Sequence, residues 1–119
     1  MKTIKALVLI IFISSAGFAE AQSKTVTANL KVYGNCAMCK RRIETALDAK
    51  GIKAATWNTK TKMLEVVYLP EKISEQKIHD LIASVGHDTD KAKAKDEVYA
   101  NLPFCCLYRD HDHSGMTDN

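Results

Sequence analysis

Apolar and polar positions alternate over residues 26–32, with Val26, Ala28, Leu30 and Val32 on one side and Thr27, Asn29 and Lys31 on the other. That period of two predicts a half-buried first strand. The spacing then changes. Ile43, Ala46 and Leu47 recur at helical intervals as far as Gly51, predicting a helix over about Ala37–Lys50 with the glycine as its stop. Ile52–Asn58 reads as a second strand, and the polar run Asn58-Thr59-Lys60-Thr61 as a hairpin turn. Leu64, Val66 and Tyr68 alternate in a third strand that Pro70 ends. Ser74 is a good N-cap for a second helix, Ile78, Leu81, Ile82 and Val85 form its apolar stripe, and Gly86 is its C-terminal cap. His87 to about Lys93 is a weak, polar fourth strand at the sheet edge. Trp57 and Tyr68 read as core.

Strand, helix, strand, strand, helix, strand is the α+β arrangement called ferredoxin-like, a βαββαβ sandwich with two helices covering one face of a four-stranded antiparallel sheet. A C-terminal extension bearing cysteines follows. In it Asp96–Leu102 is predicted as a short helix, Pro103 breaks it, and the chain turns polar after Arg109.

The first 21 residues follow neither period. Lys2 and Lys5 open them, Ala6 to Ile13 is an unbroken apolar run, and Ala19-Glu20-Ala21 sets small residues at the two cleavage-determining positions. This is the pattern of a secretory signal peptide cut before Gln22. A membrane anchor would need about 20 apolar residues, and this run breaks at Ser14, Ser15 and Gly17. The expected organisation is therefore a signal peptide over 1–21, one domain over 22–94, and an extension with a polar tail over 95–119. The product would be periplasmic or secreted, without stable membrane insertion after cleavage.

Seventeen Lys and Arg stand against fourteen Asp and Glu, a net charge of +3. They are scattered, and the densest basic cluster, Lys40-Arg41-Arg42, sits in the first turn of the predicted helix, where a solvated face explains it. No nucleic-acid footprint is expected.

Four cysteines outside the cytoplasm ordinarily suggest disulfides. Here Cys36 and Cys39 are separated by two residues and Cys105 and Cys106 are adjacent, and four cysteines allow three pairings that sequence does not separate. Cys36 lies in the loop after the first strand and Cys39 at the opening turn of the helix, where free N–H groups and the positive end of the helix dipole favour thiolate. Two converging thiolates suit copper(I), mercury(II), cadmium or zinc rather than magnesium or calcium. With two sulfurs in the loop a low-coordinate ion fits best, since a structural zinc wants four ligands.

At these residues the chain resembles the heavy-metal-associated domain family, which includes copper chaperones, metal-binding modules of metal-pumping ATPases and periplasmic mercury-binding proteins. The resemblance spans about Thr25 to Lys93. It is carried by Val32-Tyr33-Gly34-Asn35-Cys36-Ala37-Met38-Cys39, by Ile43-Glu44-Thr45-Ala46-Leu47, by Gly51-Ile52 and by Val85-Gly86-His87-Asp88. Family members usually read Gly-Met-Thr-Cys-x-x-Cys. Here only Asn35 separates Gly34 from Cys36, so the methionine that packs beneath the family's loop has no direct counterpart. The resemblance implies a metallochaperone that binds a soft metal ion and passes it on, with Cys36 and Cys39 as ligands. Copper(I) is the first expectation, with mercury(II), zinc or cadmium as alternatives. The implied partner is a metal-transporting membrane protein or another metal-binding domain. Met38 holds a variable position and is expected in loop packing or solvent.

Three further residues are candidates for metal ligation or support. The ferredoxin-like topology brings the loop before the fourth strand beside the metal loop, so His87 could face the ion or pack behind it. Cys105 and Cys106 could fold back to the site, bind metal independently, pair as a disulfide or sense redox state. His79 is expected to be solvated, and so are His111 and His113 in the tail. Tyr33, Tyr99 and Tyr108 either line the metal edge or cover apolar surface. The competing reading is a thiol-disulfide oxidoreductase that uses the same Cys-x-x-Cys. Such enzymes usually carry Gly-Pro between the cysteines and Trp before them, whereas this loop has Ala37-Met38 after Asn35, and no Ser/His/Asp set is apparent; no enzyme is expected. A four-cysteine zinc module is disfavoured by the spacing of the second pair.

Overall fold

The computed structural model describes residues 24–110. The signal peptide expected over 1–21 and the tail histidines His111 and His113 lie outside the described residues. Three strands form, β1 Val26–Lys31, β2 Ile52–Trp57 and β3 Met63–Tyr68, in one antiparallel sheet of order β1-β3-β2. Period-two patterning decides which face is covered: Leu64, Val66 and Tyr68 of β3 are buried, while Met63 and Glu65 face outward. Leu64 pairs with Leu30 on one side and Trp57 on the other, which aligns the buried face across the sheet. The hairpin between β2 and β3 falls where the polar run predicts it. Asn58 Oδ1 accepts the amides of Lys60 and Thr61 at 2.8 and 2.9 Å, and Lys62 takes a positive φ of 62° to close the turn.

Helix α1 spans Ala37–Ala46 and buries Cys39 and Ile43; helix α2 spans Glu75–Ser84 and buries Ile78, His79 and Ile82. Of these, Cys39, Ile43, Ile78 and Ile82 share one core with Leu30, Val32, Trp57, Leu64, Val66 and Tyr68. The α1 helix stops short of the predicted Lys50, because the amides of Leu47 and Asp48 tighten onto Glu44 and Thr45 carbonyls three residues back. Both ends of α2 follow the expectation. Ser74 Oγ accepts the Lys77 amide at 3.1 Å. At the other end Gly86 adopts φ +104°, its amide bonds Ala83 O, and the His87 amide reaches Ile82 O. That pair of bonds is the Schellman stop, which demands the left-handed backbone glycine allows.

The predicted fourth strand over His87–Lys93 is corrected to a single ladder rung. Val32 bridges Thr89, and the Tyr33 amide donates to Asp88 O at 2.9 Å, but Thr89 then turns back onto Ala92. Side chains intercept the backbone here: Thr89 Oγ1 accepts the Lys91 amide at 3.1 Å and Asp88 Oδ1 the Ala94 amide at 2.7 Å. Such local bonds offer the chain an alternative to a ladder. The sheet therefore has three strands.

Beyond it a short helix α3, Asp96–Ala100, and a 3₁₀ turn over Phe104–Cys106 fold back onto the α1 end of the domain, with Tyr99, Leu102 and Cys106 joining the core. Among the described residues no helix is long and apolar enough to cross a membrane.

Candidate metal centre

The loop leaving β1 runs along the edge of Trp57, whose indole Nε1 donates to Val32 O at 3.1 Å. Gly34 sits so close to that ring that an added Cβ would lie 3.0 Å from the indole and 3.2 Å from Cys39 Cβ. Trp57 thus packs directly against the loop, and the residue at position 34 has to be small. Asn35 and Cys36 follow, both buried, and Cys36 is the N-cap of α1 in extended conformation. Cys39 lies one turn into the helix and points inward.

This puts Cys36 Sγ and Cys39 Sγ 3.8 Å apart, with the Asn35 amide donating to Cys39 Sγ at 3.4 Å. All four cysteines are free thiols. The two loop thiols are not equivalent. Burial works to raise the Cys36 pKa, but the amides of Cys39 and Met38 and the thiols of Cys105 and Cys39 favour its thiolate, and the net direction is down from 9.0. No side-chain cap hydrogen bond of regular geometry is formed, so the amides at the helix mouth act on Cys36 chiefly as dipoles. Cys39 moves the other way. Burial is the largest influence and raises its pKa, and hydrogen bonds from the Cys106 thiol and the Asn35 and Cys36 amides offset it only in part. The helix mouth therefore activates Cys36 and not Cys39, because Cys39 is completely enclosed.

The C-terminal turn delivers the other pair. Cys106 is fully buried, and its Sγ lies with those of Cys36 and Cys39 in a group in which all three sulfurs are within 4.8 Å of one another. Cys105 falls outside that group. Its Sγ is 3.3 Å from Met38 Sδ and 3.9 Å from Cys106 Sγ, on the more exposed side. Burial and the nearby Cys36 both raise the Cys105 pKa, and burial raises that of Cys106 far more strongly.

His87 is buried at the same end of the sheet, as the topology suggested, yet it is not part of the sulfur group. Its Nδ1 donates to Tyr33 O at 2.8 Å, its ring stacks on Tyr108, and burial lowers its pKa to about 4. It packs behind the loop. His79, expected in solvent, is instead nine-tenths or more enclosed: Nδ1 meets Thr89 Oγ1 at 2.6 Å and Nε2 meets Glu75 Oε1 at 3.4 Å. Thr89 supplies the partner that makes a buried imidazole tolerable. Of the tyrosines, Tyr33 is exposed and donates to Asp90, whereas Tyr99 and Tyr108 meet edge-to-face within the extension.

Sequence reasoning missed the residues that hold the second cysteine pair in place. Asn35 Nδ2 donates to Cys105 O at 3.2 Å, across 70 residues of chain. Arg109 grips Asp88 through Nε and Nη2 at 3.0 and 2.8 Å and reaches Ala94 O at 2.8 Å. Tyr108 OH donates to Gly86 O at 2.7 Å while accepting the Asp88 amide. The only sequence hint was composition: one polar residue between Gly34 and Cys36, and one arginine just after the cysteines.

No protein-family model and no curated protein matches the sequence. Solved structures do. The CopZ metallochaperone is 29% identical, the match covering 54% of this chain and 98% of that one, with a TM-score of 0.52. Oxidized MerP from Ralstonia metallidurans CH34 is 25% identical over 56% of this chain and 96% of that one, at 0.54. The N-terminal domain of a potential copper-translocating P-type ATPase from Bacillus subtilis, solved with Cu(I), is 25% identical over 63% and 96%, also at 0.54. Fold and sulfur loop together therefore resemble a heavy-metal-associated domain. Within that type the chain resembles the copper chaperones and MerP.

Proposed function

We propose that this protein is an exported carrier that captures a soft cation, copper(I) first, between Cys36 and Cys39 and passes it to a metal-transporting membrane protein or another metal-binding domain. One observation carries the reading: two unbridged thiols held 3.8 Å apart at a helix N-terminus, one of them shifted toward thiolate. Thiolate pairs select soft ions over hard ones. The likeness to a metallochaperone and to a Cu(I)-loaded ATPase domain favours copper and transfer, and the likeness to MerP keeps mercury(II) as the alternative. Export is supported by the leader-like pattern of Lys2, Lys5, Ala6–Ile13 and Ala19-Glu20-Ala21. Transfer to a partner would proceed by exchange of sulfur ligands, with the incoming thiolate bonding to the ion as one of ours leaves.

Anaerobic competition against a chromophoric copper(I) chelator tests the reading. Cys36→Ser and Cys39→Ser should each abolish tight binding while the circular dichroism stays native. Unchanged affinity and stoichiometry in either variant would reject the assignment, and parallel titrations with mercury(II) and zinc rank the ions. The lowered pKa of Cys36 is also what a disulfide oxidoreductase needs. Catalytic reduction of insulin by the copper-free protein would support that second reading instead.

A further inference from the structure

We propose that the ion is held by three sulfurs, with Cys106 of the C-terminal turn as the third ligand beside Cys36 and Cys39. This deepens the reading above and rests on it. With a metal–thiolate bond of about 2.3 Å, sulfurs stand about 4.6 Å apart across a linear ion and about 4.0 Å apart around a trigonal one. Cys36 and Cys39 are at 3.8 Å, too close for the linear arrangement, and Cys106 Sγ is within 4.8 Å of both. A tetrahedral ion would need a fourth donor, and Cys105 is turned aside to Met38.

The turn carrying Cys106 is bonded directly to the metal loop. Asn35, inside the metal loop, donates from Nδ2 to Cys105 O, and the Cys36 thiol lies 3.7 Å from the same carbonyl. Cys106 itself is capped into the turn by its amide bond to Pro103 O at 2.8 Å. Cys39 and Cys106 are both wholly buried, so the extension roofs the loop, and an ion bound there would be cut off from water on that side. On binding, each thiol that coordinates gives its proton to solvent and its lone pair to the metal; no redox change is involved. A three-thiolate cage suits a soft ion of low coordination number and leaves zinc one ligand short.

X-ray absorption at the copper edge of the leaderless chain loaded anaerobically with one equivalent of copper(I), together with chelator competition, tests the proposal. Three sulfur neighbours are expected in the wild type and two in Cys106→Ser. Affinity in that variant should fall by about tenfold or more, since even outer-shell partners act on that scale. Cys105→Ser should keep three. Two sulfurs in the wild type, or an unchanged site in Cys106→Ser while Cys36→Ser still loses the ion, would overturn the third ligand and leave the two-cysteine carrier standing. No tight binding by the wild type would overturn both. The wild-type coordination number decides the matter even if Cys106→Ser fails to fold.

Discussion

His87 is enclosed between the carbonyl of Tyr33 and the ring of Tyr108, and its Nε2 has no hydrogen-bond partner. An imidazole so placed must stay neutral, and burial holds its pKa near 4 against 6.5 when free. The unfolded chain therefore takes up a proton at a higher pH than the folded one. The stability due to neutral His87 is complete above about 6.5 and drains away as pH falls toward 4, by about 3 kcal/mol in all. Asp88 acts in the same direction but lower: burial opposes its ionisation, Arg109 and the Ala94 amide more than compensate, and its contribution is lost only below its ordinary 3.8. Urea titrations at pH 7.5 and 4.5 should show the His87 loss in the wild type and a much flatter profile in His87→Phe. Equal slopes in the two proteins would assign the effect elsewhere. The cysteines make a second residue-scale prediction. Limited alkylation of the copper-free protein near neutral pH should label Cys36 before Cys39 or Cys106, read by peptide mass spectrometry, because Cys36 alone is shifted toward thiolate and the other two are sealed. First labelling at Cys39 would contradict the asymmetry.

At the scale of elements, α2 is delimited by two devices of different strength. Ser74→Ala removes one cap bond to the Lys77 amide and should cost about 1 kcal/mol. Gly86→Ala forces a side chain into a left-handed backbone and drives its Cβ to 2.9 Å from Leu102 Cδ2. The backbone strain alone is worth about 1–3 kcal/mol, so denaturant midpoints should fall further in Gly86→Ala than in Ser74→Ala; the reverse order would show that position 86 accommodates a side chain without strain. Both devices could be read from the sequence, as could the three strands, the hairpin at Asn58 and the Cys36/Cys39 loop, because each is written within a few neighbouring residues. The strand expected at His87–Lys93 failed for an equally local reason: Asp88 and Thr89 carry side chains that bond the backbone in place of a neighbouring strand. His79 was misjudged because its partner Thr89 lies ten residues away, on a segment whose path no periodicity records. Cys106 is the extreme case. Its approach to Cys36 depends on the Asn35 bond to Cys105 O, and a contact spanning 70 residues leaves no pattern in the intervening chain.

The whole molecule is closed by Arg109. Its guanidinium forms two bonds with the Asp88 carboxylate, a third with Ala94 O and a fourth with Asp96, and it stacks over the Tyr99 ring 4.3 Å from the centroid. Asp88 in turn follows directly on the His87 that supports the loop, so one side chain ties the C-terminal turn to the far end of α2 and to the sheet edge. A forked guanidinium matches a carboxylate with two parallel bonds, which an amide does not reproduce. Arg109→Gln should lower stability by about 2 kcal/mol, since Asp88 is partly buried and would lose its charged partner. The more telling effect is local. Amide hydrogen exchange, followed by mass spectrometry on the folded protein, should quicken over Leu102–Arg109 while the Ile78–Ile82 stretch of α2 keeps its protection, because that stretch is held by the core rather than by the clamp. With the turn loosened, Cys106 would no longer be presented to the loop, and copper(I) affinity should fall toward that of Cys106→Ser while Cys36 and Cys39 still bind. Unchanged exchange over Leu102–Arg109 would mean that apolar contacts of Tyr99, Leu102 and Cys106 hold the roof by themselves, and that the arginine serves only the charge of Asp88.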